Sequence, residues 1–139
     1  MKLCNDTITI YNHYTDATTR YQVFVPTVVS GVHWYGSNQA TVTSDGLLSA
    51  DQYTIRIPIE ADFNSSTYVT PKEYESLADK TGHFTLAHGD VIVKGNHVET
   101  GSNAKPAYLD KTYDDVVTII SVTDNRTAPN APHWRVVCK

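Results

Sequence analysis

A chain of 139 residues is the length of one domain, and 40% hydrophobic residues suffice for a core without metal or disulfide staples. Eleven Lys and Arg against fifteen Asp and Glu leave a formal charge of -4, which argues against nonspecific nucleic-acid binding, because that binding needs a positive face to displace counterions from phosphates. No apolar run approaches the roughly 20 residues of a membrane span, and nine Tyr, two Trp and a single Met among many Val and Thr favour strands over a helical bundle.

The opening Met1-Lys2-Leu3-Cys4 places a basic residue ahead of a cysteine, but Asn5-Asp6 follow where a signal peptide needs an apolar stretch of about 7–15 residues. The expectation is a chain that stays in the cytoplasm where it is made. Cys4 and Cys138 then read as two free thiols, and their spacing matches no zinc pattern.

Thr7 to Tyr11 alternates, with Ile8 and Ile10 on one face, and predicts a strand buried on one side. Asn12 to Thr19 is polar and turn-like. Tyr21 to Val29 is a β-branched run whose Pro26 implies an edge or a bulge, and Gly31 kinks the chain before Val32-His33-Trp34-Tyr35. Gly36 to Ala50 is turn-rich, with room for a short strand over Gln39 to Thr43. Gln52 to Pro58 alternates again, with Tyr53, Ile55 and Ile57 on one face.

Thr70-Pro71-Lys72-Glu73 is a capping box with Pro at the first helical position, and predicts a short helix from Pro71 to Ala78. His88-Gly89-Asp90 turns the chain into the strand Val91-Ile92-Val93, and Gly95-Asn96 ends it. Thr100 to Pro106 reads as an exposed loop, and Ala107 to Asp115 as at most a turn of helix. Val116 to Thr123 is apolar on both faces, the mark of a central strand. His133 to Val137 closes the domain. Residues 1–139 therefore form a mainly β unit, a small barrel or sandwich of five to six strands, with one short α-helix inserted in a segment at about 62–87.

Chemistry-bearing residues are sparse. His83, His88, Asp90 and His97 lie close in sequence, with His88 and Asp90 the best pair, but zinc sites need a second tight pair. No serine has a nucleophile-elbow frame, Asp114-Asp115 point to opposite faces of a strand, and there is no glycine-rich phosphate loop. Trp34 and Trp134 each follow a His, which suits a glycan platform or, more often, a core or interface anchor. The expectation is no enzymatic activity, no catalytic residue, no metal and no cofactor.

The order of segments carries a resemblance. Asp6-Thr7-Ile8-Thr9-Ile10-Tyr11, Val29-Ser30-Gly31-Val32-His33-Trp34, Tyr53-Thr54-Ile55-Arg56-Ile57-Pro58, His88-Gly89-Asp90-Val91-Ile92-Val93-Lys94-Gly95, Thr118-Ile119-Ile120-Ser121-Val122 and His133-Trp134-Arg135-Val136-Val137 span nearly the whole chain. Together they resemble the minor capsid and head-closure (stopper, or head-tail joining) proteins of tailed phages, and most closely short uncharacterised structural proteins of phages and prophages of Gram-positive hosts. The segment from Asp62 to Ala87 is longer than the matching connection in the shorter head-closure proteins.

The resemblance implies a β-barrel subunit of an oligomeric ring in the virion neck. Its partners would be the portal and adaptor rings, the tail terminator or tail tube proteins, and other copies of itself. It implies no membrane and no sequence-specific nucleic acid, only packaged DNA passing through the channel. It also makes Ser44, Asp45, Gly46, Leu47, Leu48 and Ser49 candidates for a channel loop. Within the insert, Tyr68, Tyr74 and Phe84 are candidate assembly contacts. Two other readings stand beside it: a tail-terminator or tail-completion protein, and a small barrel that binds glycan or single-stranded nucleic acid.

Overall fold

The computed structural model describes residues 5–139 apart from 17, 19, 44–45, 79, 81 and 100–102, and describes 36–43 and 46–51 through their backbone alone. Eight strands follow in order: β1 Asp6–Thr15, β2 Gln22–Thr43, β3 Gly46–Pro58, β4 Thr67–Tyr68, β5 His83–Phe84, β6 Val91–Lys94, β7 Val116–Asn125 and β8 His133–Cys138. Helix α1, Pro71–Ser76, lies between β4 and β5, and helix α2, Pro106–Thr112, between β6 and β7.

Six of the strands pair in the order β1-β2-β3-β8-β7-β6, and β6 pairs back onto β1, so the ladder closes into a barrel. Closure leaves no continuous free edge along the six-stranded body. The mainly β architecture expected from the sequence is the one observed. Neighbouring barrel strands run antiparallel, while β4 and β5 form a separate parallel pair.

The interior is filled by side chains from every wall. Ile8 and Ile10 of β1, Ile55 and Ile57 of β3, Ile92 of β6, Ile119 of β7 and Val136 of β8 are fully buried in one cluster. A barrel of this size is packed solid, so no passage runs through a single copy. Gly31 is the extra residue in β2: Thr7 faces Ser30 and Asp6 faces Val32, with Gly31 unpaired between them at φ 86°. That bulge bends β2 so that its first half lies along β1 and its second half along β3. Pro26 falls in the first half, where β1 is the principal neighbour, in accord with its lack of a backbone donor.

Four expectations need correction. β7 is buried on one face only, with Thr118 and Ile120 exposed; the strands covered on both faces are β1 and β6. The stretch expected as an exposed loop from Thr100 to Pro106 contributes to the outer cover: Ala104 is buried and, with Leu109 of the helix foreseen near Ala107, packs with Tyr11, Phe24, Val91 and Val93. β1 continues through Asn12 to Thr15, where a turn was expected. The stretch from Gly36 to Ala50 is no irregular loop either. Outside residues 44–45 it is paired strand, in register from His33↔Arg56 to Thr43↔Gly46.

The capped helix forms as its box predicts, although it ends at Ser76. Thr70 lies in extended geometry and its hydroxyl accepts from the Glu73 amide at 3.3 Å. Ile92→Ala should lower unfolding stability by about 2–5 kcal/mol, as for a large aliphatic residue in a close-packed core. Ile120→Ala, at a side chain 42% exposed, should cost under about 0.5 kcal/mol. Urea denaturation of the two variants checks the assignment of faces.

Candidate functional site

Among the described residues, a buried polar cluster joins β1 to the turn ahead of β6. Asp90 is fully buried. One carboxylate oxygen accepts from the backbone amide of His13 at 3.1 Å and pairs with the His13 ring at Nδ1. The other accepts from Asn12 Nδ2 at 2.8 Å and from the Ala87 amide at 3.1 Å. Asn12, itself buried, also donates to the Thr85 carbonyl and accepts from the Thr85 amide. Burial pushes the Asp90 carboxyl above the usual range, and its hydrogen bonds to Asn12 and His13 pull it partly back.

Gly89 is required here for two reasons. Its φ is +93°, and an added Cβ would lie 3.3 Å from the His13 ring. The sequence places His88 beside Asp90 as a possible ligand pair; the structure gives Asp90 to His13 and Asn12 instead. Among the described residues there is no group of three His, Cys, Asp or Glu side chains able to hold a metal ion. A His-Asp pair can serve as an acid-base dyad when it activates a nucleophile. No hydroxyl or thiol among the described side chains is hydrogen-bonded to His13, whose ring lies against Phe24 with centroids 6.0 Å apart. The pair is a clamp between two chain segments.

Outside the barrel, Thr9 and Tyr11 fasten the segment after β6. Thr9 Oγ1 donates to the Gly95 carbonyl at 2.8 Å and accepts from the His97 amide at 3.0 Å. The Tyr11 hydroxyl donates to the His97 carbonyl and accepts from the Glu99 amide at 2.9 Å. His97 stacks on Tyr113 with centroids 4.3 Å apart, so it too is structural.

The insert between β3 and β6 forms a plug. Phe63 stacks on Phe84 at 5.2 Å and meets Trp134 edge-on at 5.9 Å, and Tyr68 contacts Phe84 at 5.7 Å and Trp134 at 4.8 Å. Arg126 lies 5.1 Å over Tyr68 and 5.3 Å over Trp134, held by Asp124 at 2.7 Å.

This corrects two of the three expected assembly contacts. Phe84 is fully buried in the chain's own core, and Tyr74 is 1% exposed, so neither ring is free to meet a neighbouring subunit. Tyr68 is half-buried in the same plug. The aromatic character of the insert reflects closure of the barrel, and removing Ser65 to Gly82 would therefore open the core. Trp134 is a core anchor; Trp34 packs against Tyr53 with centroids 5.6 Å apart.

Of the expected channel residues, Ser44 and Asp45 lie outside the described residues. Gly46, Leu47, Leu48 and Ser49 are on β3, facing Thr43, Val42, Thr41 and Ala40 across the ladder. Cys4 also lies outside the described residues. Cys138 is fully buried, and burial pushes its thiol up to about 12; such a group is an inert member of the core.

Replacing Asp90 with Asn keeps the shape but removes an acceptor oxygen facing buried donors. Asp90→Asn should lose about 2–4 kcal/mol of stability in chemical denaturation, the range for orphaned buried donors and broken charged hydrogen bonds. His13→Phe, which keeps the packing on Phe24 and Gly89 and leaves the backbone donor in place, should lose less.

No curated protein and no solved structure matches the chain. A family match covers residues 3–139, nearly the whole length, and on that ground the chain belongs to DUF6751, a family of unknown function.

Proposed function

We propose that this protein is a non-enzymatic ring subunit of the tailed-phage neck, a head-closure (stopper) protein seated between the portal-adaptor rings and the tail. The resemblance of its ordered segments to those proteins motivates the reading. The observation that carries it is the β2–β3 hairpin. β1 accompanies β2 no further than Val32, and β8 accompanies β3 only from Tyr53 to Pro58. From Ser37↔Gln52 to Thr43↔Gly46 the two strands pair with no third strand among the described residues.

At about 3.3 Å per residue, that ribbon extends roughly 20 Å past the barrel. A two-stranded ribbon is marginal by itself in water, and its free edges are templates for another strand. A ring around an axis supplies such neighbours from identical copies. In this reading the barrels form the wall of the ring. The hairpin ends, with Gly46 to Ser49 on β3, reach toward the channel and hold packaged DNA until the tail docks. The net charge of -4 suits a conduit that must not grip the DNA passing through it.

The same reading places the protein in the virion after synthesis in the host cytoplasm, with portal-adaptor and tail proteins as neighbours. Electron microscopy of particles made without this protein tests it. The expected result is full-sized heads without tails, many of them emptied of DNA. Tailed, infectious particles assembled in its absence would contradict it. In this reading, filled heads carrying Leu47→Asp with Leu48→Asp should lose DNA before tails attach, measured as nuclease-sensitive genome.

A further inference from the structure

The outer wall of the barrel carries an arrangement that the chain does not balance internally. On β3 and β8, Arg56 stands directly opposite Arg135; on the other side of Arg56, across the β2–β3 ladder, stands His33. Both arginines are exposed. Beyond Arg135 the row ends in Thr123 of β7. The next positions on the same face are Tyr35, Thr54, Val137 and Ser121 on one side and Pro58, His133 and Asn125 on the other, none of them a carboxylate.

Like charges directly opposite on neighbouring strands destabilise a sheet. Among the described residues the ion pairs join His13 to Asp90 and Arg126 to Asp124, and neither includes Arg56 or Arg135. A cleft of about 310 Å³ opens over this row, lined by His33, Tyr35, Thr54, Arg56 and Arg135. In a chain with more acids than bases, two guanidiniums placed side by side and left unneutralised form a receptor for carboxylates. Guanidinium forks are well matched to them.

A copy of the same chain carries a suitable group. Residues 60–80 hold five carboxylates against two lysines, Lys72 and Lys80. Lys80 is already engaged: its ammonium donates to the Leu77 carbonyl at 3.0 Å and stands 4.5 Å over the Tyr14 ring. Glu73 and Glu75 are exposed on α1, and neither takes part in an ion pair among the described residues. The Tyr74 ring between them meets Tyr14 edge-on, which sets α1 beside β1. Two different patches that complement each other make a head-to-tail contact, the kind that closes into rings. Polyanionic DNA is a poorer occupant, since two arginines release few counterions and the net charge is repulsive.

We propose that the Arg56–Arg135 face of β3 and β8 docks the acidic α1 segment of a neighbouring copy, with Glu73 and Glu75 as the principal carboxylates. This contact rests on the ring reading above and names the faces that meet in it.

Sedimentation velocity of the full chain in low salt, across a concentration series to the highest soluble value, tests the contact. Wild type should show a sedimentation coefficient that rises with concentration and falls back in 0.5 M NaCl. The Arg56→Glu/Arg135→Glu variant and the Glu73→Lys/Glu75→Lys variant should each stay monomeric, and their equimolar mixture should regain the wild-type rise. Arg56→Thr, which relieves the internal repulsion, should raise the thermal midpoint while weakening association, separating docking from folding. Association unchanged by either charge reversal, or a mixture that stays monomeric, overturns the contact. So does a wild type that never associates, or a row that binds duplex DNA without self-association. None of these outcomes bears on whether particles need the protein, which microscopy decides separately.

Discussion

The structure depends on one buried carboxylate. Asp90 receives hydrogen bonds from Asn12, His13 and Ala87, and so ties the middle of the first strand to the turn that launches β6. Those two segments are about 77 residues apart in sequence, and their junction is where the barrel closes. An ionised group taken out of water is costly unless donors surround it, so the site is occupied only when both segments are in place. The polar cluster thus selects one register for the β1–β6 pairing, which apolar side chains alone specify less sharply. Thr9 and Tyr11 extend the same logic on the outer face, their hydroxyls holding backbone groups of Gly95, His97 and Glu99.

Closure then decides where an assembly surface can lie. The barrel interior is filled, and one end is stoppered by Phe63, Tyr68, Phe84 and Trp134. Among the described residues, the features open to other molecules include the unaccompanied part of the β2–β3 hairpin, the exposed side of α1 and the arginine row. These are the features on which the proposed ring contacts rest.

Much of the fold was legible from local pattern. The alternation of Ile8 with Ile10 and of Tyr53, Ile55 and Ile57 gave strands with the correct inward faces, Gly31 gave the bend, and the Thr70–Glu73 box gave the helix start. These signals depend on residues close in sequence. The network at Asp90 was not legible, because Asn12 and His13 look like turn residues until a partner 77 positions away is known. The plug was misread for a related reason: Tyr74 and Phe84 are apolar in a segment rich in polar residues, which fits an exposed interface as well as a lid on the core. Val116 to Thr123 looked central because β-branched residues suit both faces of a strand, while the covering of β1 and β6 by α2 is a tertiary event. The arginine row belongs to the same class, since Arg56 and Arg135 become neighbours only through the β3–β8 register.

The claim that closure at Asp90 governs the fold is tested most directly by native-state amide hydrogen exchange on the intact chain. The account predicts that the amides of His13, Thr85 and Ala87, which donate to side chains of the cluster, exchange only through global unfolding, with the same free energy as the amides of Ile10 and Ile92. It predicts also that amides from Ser37 to Thr43 exchange through a lower-energy opening in the free chain. Exchange of His13, Thr85 and Ala87 through a local opening well below the global value, while Ile10 and Ile92 remain protected, would contradict it.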